Sequence, residues 1–259
     1  MNIRSHAVFL GVQLLLMQIG LGHFAPVQAL RASTNDAVVP LTTEQVVDKL
    51  VQKNLERAQA LSAYHGSRVY RIEYRGPIGS KIAGMTVAVD YRAPATKEFR
   101  IVSETGSHLL IERVLHKLLE TEKEAQTEEN RARTALNTSN YRFALIGYES
   151  LPTGPCYKLS VEPRTKDKLL YRGQIWVDAH DFAVVRIEGE PAKNPSFWIK
   201  ETTIEQAYTK VGDFWLPLSN RSTSAIRLGG RAYFTIDYQN YQITAAAPPS
   251  GSRGIAPRP

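Results

Sequence analysis

Residues 157–189, YKLSVEPRTKDKLLYRGQIWVDAHDFAVVRIEG, place apolar side chains at every second position in three successive runs. Tyr157, Leu159 and Val161 face one way, with Lys158 and Ser160 opposite. After a polar turn from Pro163 to Lys168, Leu169, Tyr171, Ile175 and Val177 share a side. After Ala179-His180-Asp181, Ala183, Val185 and Ile187 do the same. This alternation predicts strands buried on one face. Linkers this short join antiparallel neighbours, because a parallel crossover needs many more residues. The stretch therefore reads as a meander with one apolar and one polar face, and what covers the apolar face decides the function.

Working outward, Phe143 and Leu145 precede the meander, and Phe197–Tyr208, Phe214–Leu218 and Phe234–Tyr238 follow it as further strands. Pro217 marks an edge or bulge. Towards the N-terminus, Tyr70, Ile72 and Tyr74 alternate with charges, then Ala83 to Tyr91, then Phe99 and Ile101. Tyr64-His65-Gly66 reads as the turn into the first of these. Two helices interrupt the pattern. Thr42 and Gln45 form a capping box ahead of the stripe Val46, Val47, Leu50, Val51, Leu55, Ala58. From His108 to about Leu136, Leu110, Ile111, Val114, Leu115, Leu118 and Leu119 make a second apolar face. Beyond Glu120 that helix is densely charged and reads as solvated or as a connector.

About ten or eleven strands are more than an open sheet carries without curling. The expected fold is α+β, mostly antiparallel β: a curved, unclosed β-barrel with helices on the concave face. Two one-sided helices leave either a hollow or a fully packed core.

The ends are read separately. Arg4, the apolar run Ala7–Leu21 and Val27-Gln28-Ala29 predict a signal peptide over 1–29, cleaved after Ala29, and export to the periplasm. A linker (30–41), a folded domain (42–244) and a disordered Ala/Pro/Gly/Ser tail (245–259) complete the chain. Without Arg4, 31 Lys and Arg face 25 Asp and Glu, a net +6 spread along the strands. That balance suits a solvated sheet or anionic headgroups, and export argues against nucleic acid. The single cysteine, Cys156, makes no internal disulfide and reads as a buried hydrophobe.

Tyr171-Arg172-Gly173-Gln174-Ile175-Trp176-Val177-Asp178 resembles the "G-x-IWVD" strand of the LolA/LolB-like superfamily, and Val184–Gly189 follows it as in that family. Gly212-Asp213-Phe214-Trp215-Leu216-Pro217 is similar to the family's "G-x-x-W-L-P" hairpin. The resemblance spans about Thr42 to Ile243. It implies an unclosed barrel sheltering acyl chains under a helical lid, no enzymatic activity and no cofactor. It also implies an arginine that helps hold the lid closed, to which no motif here assigns a position. The charged middle helix is longer than the resemblance leads one to expect.

Catalytic signatures are missing: no Gly-x-Ser-x-Gly elbow, P-loop or Cys-x-x-Cys occurs. His108, Glu112 and His116 have helical metal-ligand spacing but lie opposite the apolar stripe, where ordinary ion pairs sit. Asp178, His180 and Asp181 read as turn chemistry. Trp176 and Trp215 fall opposite their apolar neighbours. Asn137-Thr138-Ser139 and Asn220-Arg221-Ser222 match sequons and are read as chance.

The expected function is a periplasmic carrier binding the acyl chains of a lipoprotein or lipid. Tyr70, Ile72, Phe99, Leu159, Ile175, Val185, Phe234 and Ile236 are the candidate lining residues, which could equally be plain core. The expected partners are the acylated cargo and inner- and outer-membrane transfer proteins, with the carrier itself a monomer. The rival is an envelope sensor or protein-interaction domain on the same fold.

Overall fold

In a computed structural model the chain is described over residues 41–94, 96–194, 196–227 and 229–245. The expected signal peptide, nearly all of the linker and the tail from residue 246 lie outside the described residues. Helix α1 (Thr43–Ala60) is followed by β1 (Leu61–Gly76), β2 (Gly79–Arg92) and β3 (Thr96–Gly106). A helical segment follows: α2 (His108–Leu110), a π-helical turn (Ile111–Leu115) and α3 (His116–Glu124), then α4 (Glu128–Thr134). Seven strands complete the chain: β4 (Tyr141–Leu151), β5 (Gly154–Pro163), β6 (Tyr171–Asp178), β7 (Val184–Pro191), β8 (Ile199–Val211), β9 (Phe214–Ile226) and β10 (Arg231–Ala245).

The strands form one ten-stranded sheet in the order β3-β2-β1-β10-β9-β8-β7-β6-β5-β4. Every neighbouring pair is antiparallel. β3 and β4 are left as the two edges, so the barrel is open. The curl is severe. β3 and β7 lie six strand spacings apart, roughly 29 Å if flat, yet Lys97 of β3 and Val184 of β7 line one cavity. Gly173 and Gly189, opposite each other on β6 and β7, permit close approach there. A Cβ on Gly173 (φ +150°) would lie 2.1 Å from the Glu188 carbonyl oxygen.

The concave face holds two separate apolar clusters. Tyr70, Ile72, Phe234 and Ile236 pack beneath Leu110, Ile111, Val114, Leu115, Leu118 and Leu119 of the helical segment. Leu159, Ile175, Val177 and Ile187 pack beneath Val46, Val47 and Leu50 of α1. Between them runs a buried polar seam on β8 and β9: Thr202, Gln206, Asn220, Ser222 and Ser224. The expected uniform apolar face is thus divided, and each helical unit docks on its own patch. Fully burying one of these large apolar side chains stabilises by about 1.5–3 kcal/mol.

Several local expectations change. Tyr64-His65-Gly66 does not turn the chain; it lies inside β1, paired to Tyr91, Asp90 and Val89. Val51 is exposed rather than part of the α1 stripe. The middle helix breaks at Ala125–Thr127 and stops at Thr134. Asn220, in a sequon, is fully buried and so closed to glycosylation. Pro217 does mark a bulge, where the β8–β9 register shifts between Ala207 and Tyr208. The capping box forms as read, with Thr42 and Gln45 each closing on the other's backbone.

Candidate functional site

β1 alternation points Arg68, Tyr70 and Ile72 to the concave face, and all three are buried. On β3 the same alternation turns Lys97 and Phe99 inward. On α3, Glu122 continues the stripe of Leu118 and Leu119. These placements bring three charges together inside the barrel. Arg68 Nη1 donates to both oxygens of Glu122, at 2.8 and 2.7 Å, and to Tyr70 Oη at 3.2 Å. Its guanidinium lies over the Phe99 ring at 5.4 Å and the Tyr238 ring at 5.0 Å. Lys97 Nζ stands 3.5 Å from Glu122 Oε1. The Glu122 side chain is 0 % exposed, that of Arg68 4 % and that of Lys97 8 %. Glu122 corrects the expectation that nothing beyond Glu120 faces the core.

Two cations therefore share one buried carboxylate. Burial works against charge on Lys97 and outweighs the attraction of Glu122, pushing the ammonium down to about 8. Burial acts on Arg68 in the same direction, but Glu122 overrides it and holds the guanidinium charged. Burial likewise raises the Tyr64 hydroxyl to about 12.

Beside this cluster a cavity of about 160 Å³ opens at one end of the barrel. The C-terminal half of α1 roofs it through Asn54, Arg57 and Ala58, and α4 closes one side with Arg131. Its apolar wall includes Val184, Phe214 and Leu216, and Trp215 also lines it. Arg57 fixes this end of α1 to the β6–β7 turn, donating to the Asp181 and Phe182 carbonyls at 2.8 and 3.0 Å. The turn itself is built by Asp178, whose Oδ1 accepts from the His180 and Asp181 amides.

The candidate lining residues divide. Tyr70, Ile72, Phe234 and Ile236 meet in one cluster, with Phe99 packed against it. Leu159 and Ile175 belong to the other. Val185 joins neither. A bulge in β7 pairs Val177 with Val184, which sends Val185 to a third cluster with Cys156 and Trp176. There the Cys156 thiol is pushed up to about 11 by burial, aided by the Asp178 charge. His116 pairs with Glu104 and Glu112, and His108 with Glu112, so the helical triplet forms ion pairs. Sequence reasoning missed Arg68, Lys97 and Glu122. The signal lay in their phase, because each continues an apolar repeat that reads inward.

The architecture is that of an open β-barrel: a curled ten-stranded sheet with two apolar patches on its concave face, helices packed on each and a buried charged cluster between sheet and helix. No known family's sequence profile matches the chain, and no curated protein matches it. Among solved structures it is similar to a DUF1329 family protein from Desulfovibrio piger, with 15 % identity, 78 % of this chain and 93 % of that one covered, and a TM-score of 0.39. A putative outer membrane lipoprotein-sorting protein domain from Vibrio parahaemolyticus gives 12 % identity, coverage of 78 % and 93 %, and a TM-score of 0.38. A LolA superfamily protein from Nitrosomonas europaea gives 12 %, 80 %, 96 % and 0.36 on the same measures. Among the described residues, no helix is long and apolar enough to cross a membrane.

Proposed function

We propose that this protein is a periplasmic carrier that shields the acyl chains of a lipoprotein or lipid between membranes. The observation that carries the reading is the Arg68–Glu122 pair, a salt bridge buried between sheet and helix amid apolar packing. Such a pair adds little net stability over a hydrophobic contact, but it fixes one docking geometry. When the helix lifts, both charges regain water, which offsets part of the loss. The cavity of about 160 Å³ is comparable to one that admits benzene, far short of a long acyl chain. Loading would therefore exchange helix side chains for cargo on Tyr70, Ile72, Phe234 and Ile236, a shift driven by differential affinity for the open state. Each buried methylene contributes about 0.8 kcal/mol. Donor and acceptor proteins at the two membranes would bias opening at either end of the route.

The test is mass spectrometry of lipids extracted from the full-length protein purified from its native envelope. Acylated species in near-stoichiometric amount support the carrier. Folded protein with only background lipid rejects it. That outcome would favour the envelope interaction domain, a reading supported by how completely the helices already pack the two clusters.

A further inference from the structure

The mouth cavity has an unusual charge balance. Three cations, Arg57, Lys97 and Arg131, line it, and no Asp or Glu does so among the described residues. Neighbouring acids compensate only in part: the carboxylates of Asp181, Glu56 and Asp178 attract Arg57 through space without a hydrogen bond to it. Glu122 already gives both oxygens to Arg68 at 2.8 and 2.7 Å, leaving Lys97 a single contact at 3.5 Å. Asp181 accepts from Lys210 and from the Trp215 indole. Arg57 is held by neutral oxygens only: Asn54 Oδ1 and two main-chain carbonyls.

The second observation concerns donors without acceptors. Arg131 Nε is buried and has no acceptor among the described residues, while its Nη1 reaches only the Pro94 carbonyl at 3.2 Å. Gln126 Oε1 accepts from the Lys97 amide at 3.0 Å, yet its own Nε2 is buried without a partner. The Tyr208 hydroxyl, which lines the cavity, is also buried without a partner and can donate or accept, so donors are in excess. An orphaned buried donor costs about 1–3 kcal/mol, more when charged, so the arrangement favours an acceptor that the chain does not supply. Much of the remaining wall is apolar, including Val184, Phe214 and Leu216, alongside Asn54, three tyrosines and Trp215.

We propose that this cavity is a binding site for the anionic headgroup of an amphiphile, a carboxylate or phosphate monoester joined to hydrocarbon. Lys97 and Arg131 hold the anion, and the first methylenes lie along Val184, Phe214 and Leu216. A cationic headgroup offers no acceptor, and a neutral hydroxyl accepts without the added strength of a charge. The site deepens the carrier reading by naming its cargo's head, and it rests on that reading for the fate of the rest of the chain.

The experiment is calorimetric titration of the full-length protein at neutral pH, below the micelle threshold, with dodecanoate, dodecyl phosphate, dodecanol, dodecyltrimethylammonium and inorganic phosphate. The expected result is binding of dodecanoate or dodecyl phosphate at least about tenfold tighter than dodecanol, since charge-assisted hydrogen bonds discriminate on that scale. The ratio between the two acids identifies which headgroup the site prefers. Arg131→Gln and Lys97→Met should each reduce that preference, and together bring it within about twofold of dodecanol. Arg131→Gln keeps the test sound if Lys97→Met fails to fold, because α4 contributes no buried residue. Dodecanol or the cationic probe binding as tightly as the acids overturns the anion site and leaves the carrier standing. Inorganic phosphate binding as tightly as dodecyl phosphate also overturns it, since the tail then contributes nothing. No binding of any dodecyl probe overturns both.

Discussion

Arg68 occupies a position that β1 alternation reserves for an apolar side chain, between the rings of Phe99 and Tyr238. Removing one partner of such a pair leaves an uncompensated buried charge, typically at about 3–5 kcal/mol. Glu122→Gln should therefore lower the urea midpoint sharply, and Arg68→Met likewise. The triple variant Arg68→Met, Lys97→Met, Glu122→Leu should recover most of the loss, because no buried charge is then left unpaired. Additive losses in the triple variant would show that the three do not act as one latch. Lys97 supplies a pH signature. Its folded value, about 8, lies below the unfolded value of about 10.4. Between those values the unfolded chain binds more protons, so stability rises with pH. Glu122 and Arg68 face the same ammonium, and Arg131 faces it across the cavity. From about pH 8 to pH 9.5 this group's gain should be about 1.5 kcal/mol, less than the full window would give because half of the folded ammonium is already deprotonated at pH 8. Urea midpoints across that range check it as the difference between wild type and Lys97→Met, which should widen in favour of wild type; Cys156 and Tyr64, raised above their unfolded values, lower the stability of both proteins as pH rises.

At the level of elements, the β6–β7 hairpin shows what a sequence gives and withholds. Alternation located both strands, and the side of Ile175 and Val177 was legible. The bulge was not, because a single extra residue leaves every local pattern intact while reversing the face of Val185. Gly173 was legible as part of a motif, but its reason is tertiary: the Glu188 carbonyl stands where its Cβ would be. Gly173→Ala should cost about 2–3 kcal/mol in chemical denaturation, more than a strand glycine replaced in open space. A cost under about 0.5 kcal/mol would mean that the curl does not depend on this contact. The inward charges illustrate the same limit. Glu122 sits in phase with Leu118 and Leu119, yet a carboxylate in a run of charges looks solvated until Arg68 is seen opposite it. Tyr64-His65-Gly66 looked like a turn because glycine and polar residues break patterns; pairing to both β2 and β10 holds the strand through them.

For the molecule as a whole, the two helical units are anchored unequally, and that asymmetry says which one moves. α1 is tied at both ends: the Thr43 hydroxyl accepts from the Leu145 amide at 3.0 Å, and Arg57 holds the β6–β7 turn. Its N-terminal half is sealed through Val46, Val47 and Leu50. The other unit has an apolar first half, but beyond Leu119 its anchors among the described residues are the buried Glu122, and Gln126, which accepts from the Lys97 amide. No residue of α4 is buried as a whole, although Arg131 Nε is, and the helix is held by Arg131 to the Pro94 carbonyl and Arg133 to Asp167. Exposed ion pairs contribute about 0–1 kcal/mol each, so α3 and α4 form the low-stability end of the fold, from which lids are drawn. Hydrogen exchange followed by mass spectrometry should then show residues 116–124 exchanging at least about tenfold faster when dodecanoate is bound, with α4, held by Arg131 on the anion, α1 and the central strands not accelerated, since sites of low local stability open first. Glu122→Gln should produce the same local acceleration without ligand. Uniform slowing across both helices on binding would mean that cargo enters a closed barrel, and the lid would have to be sought elsewhere.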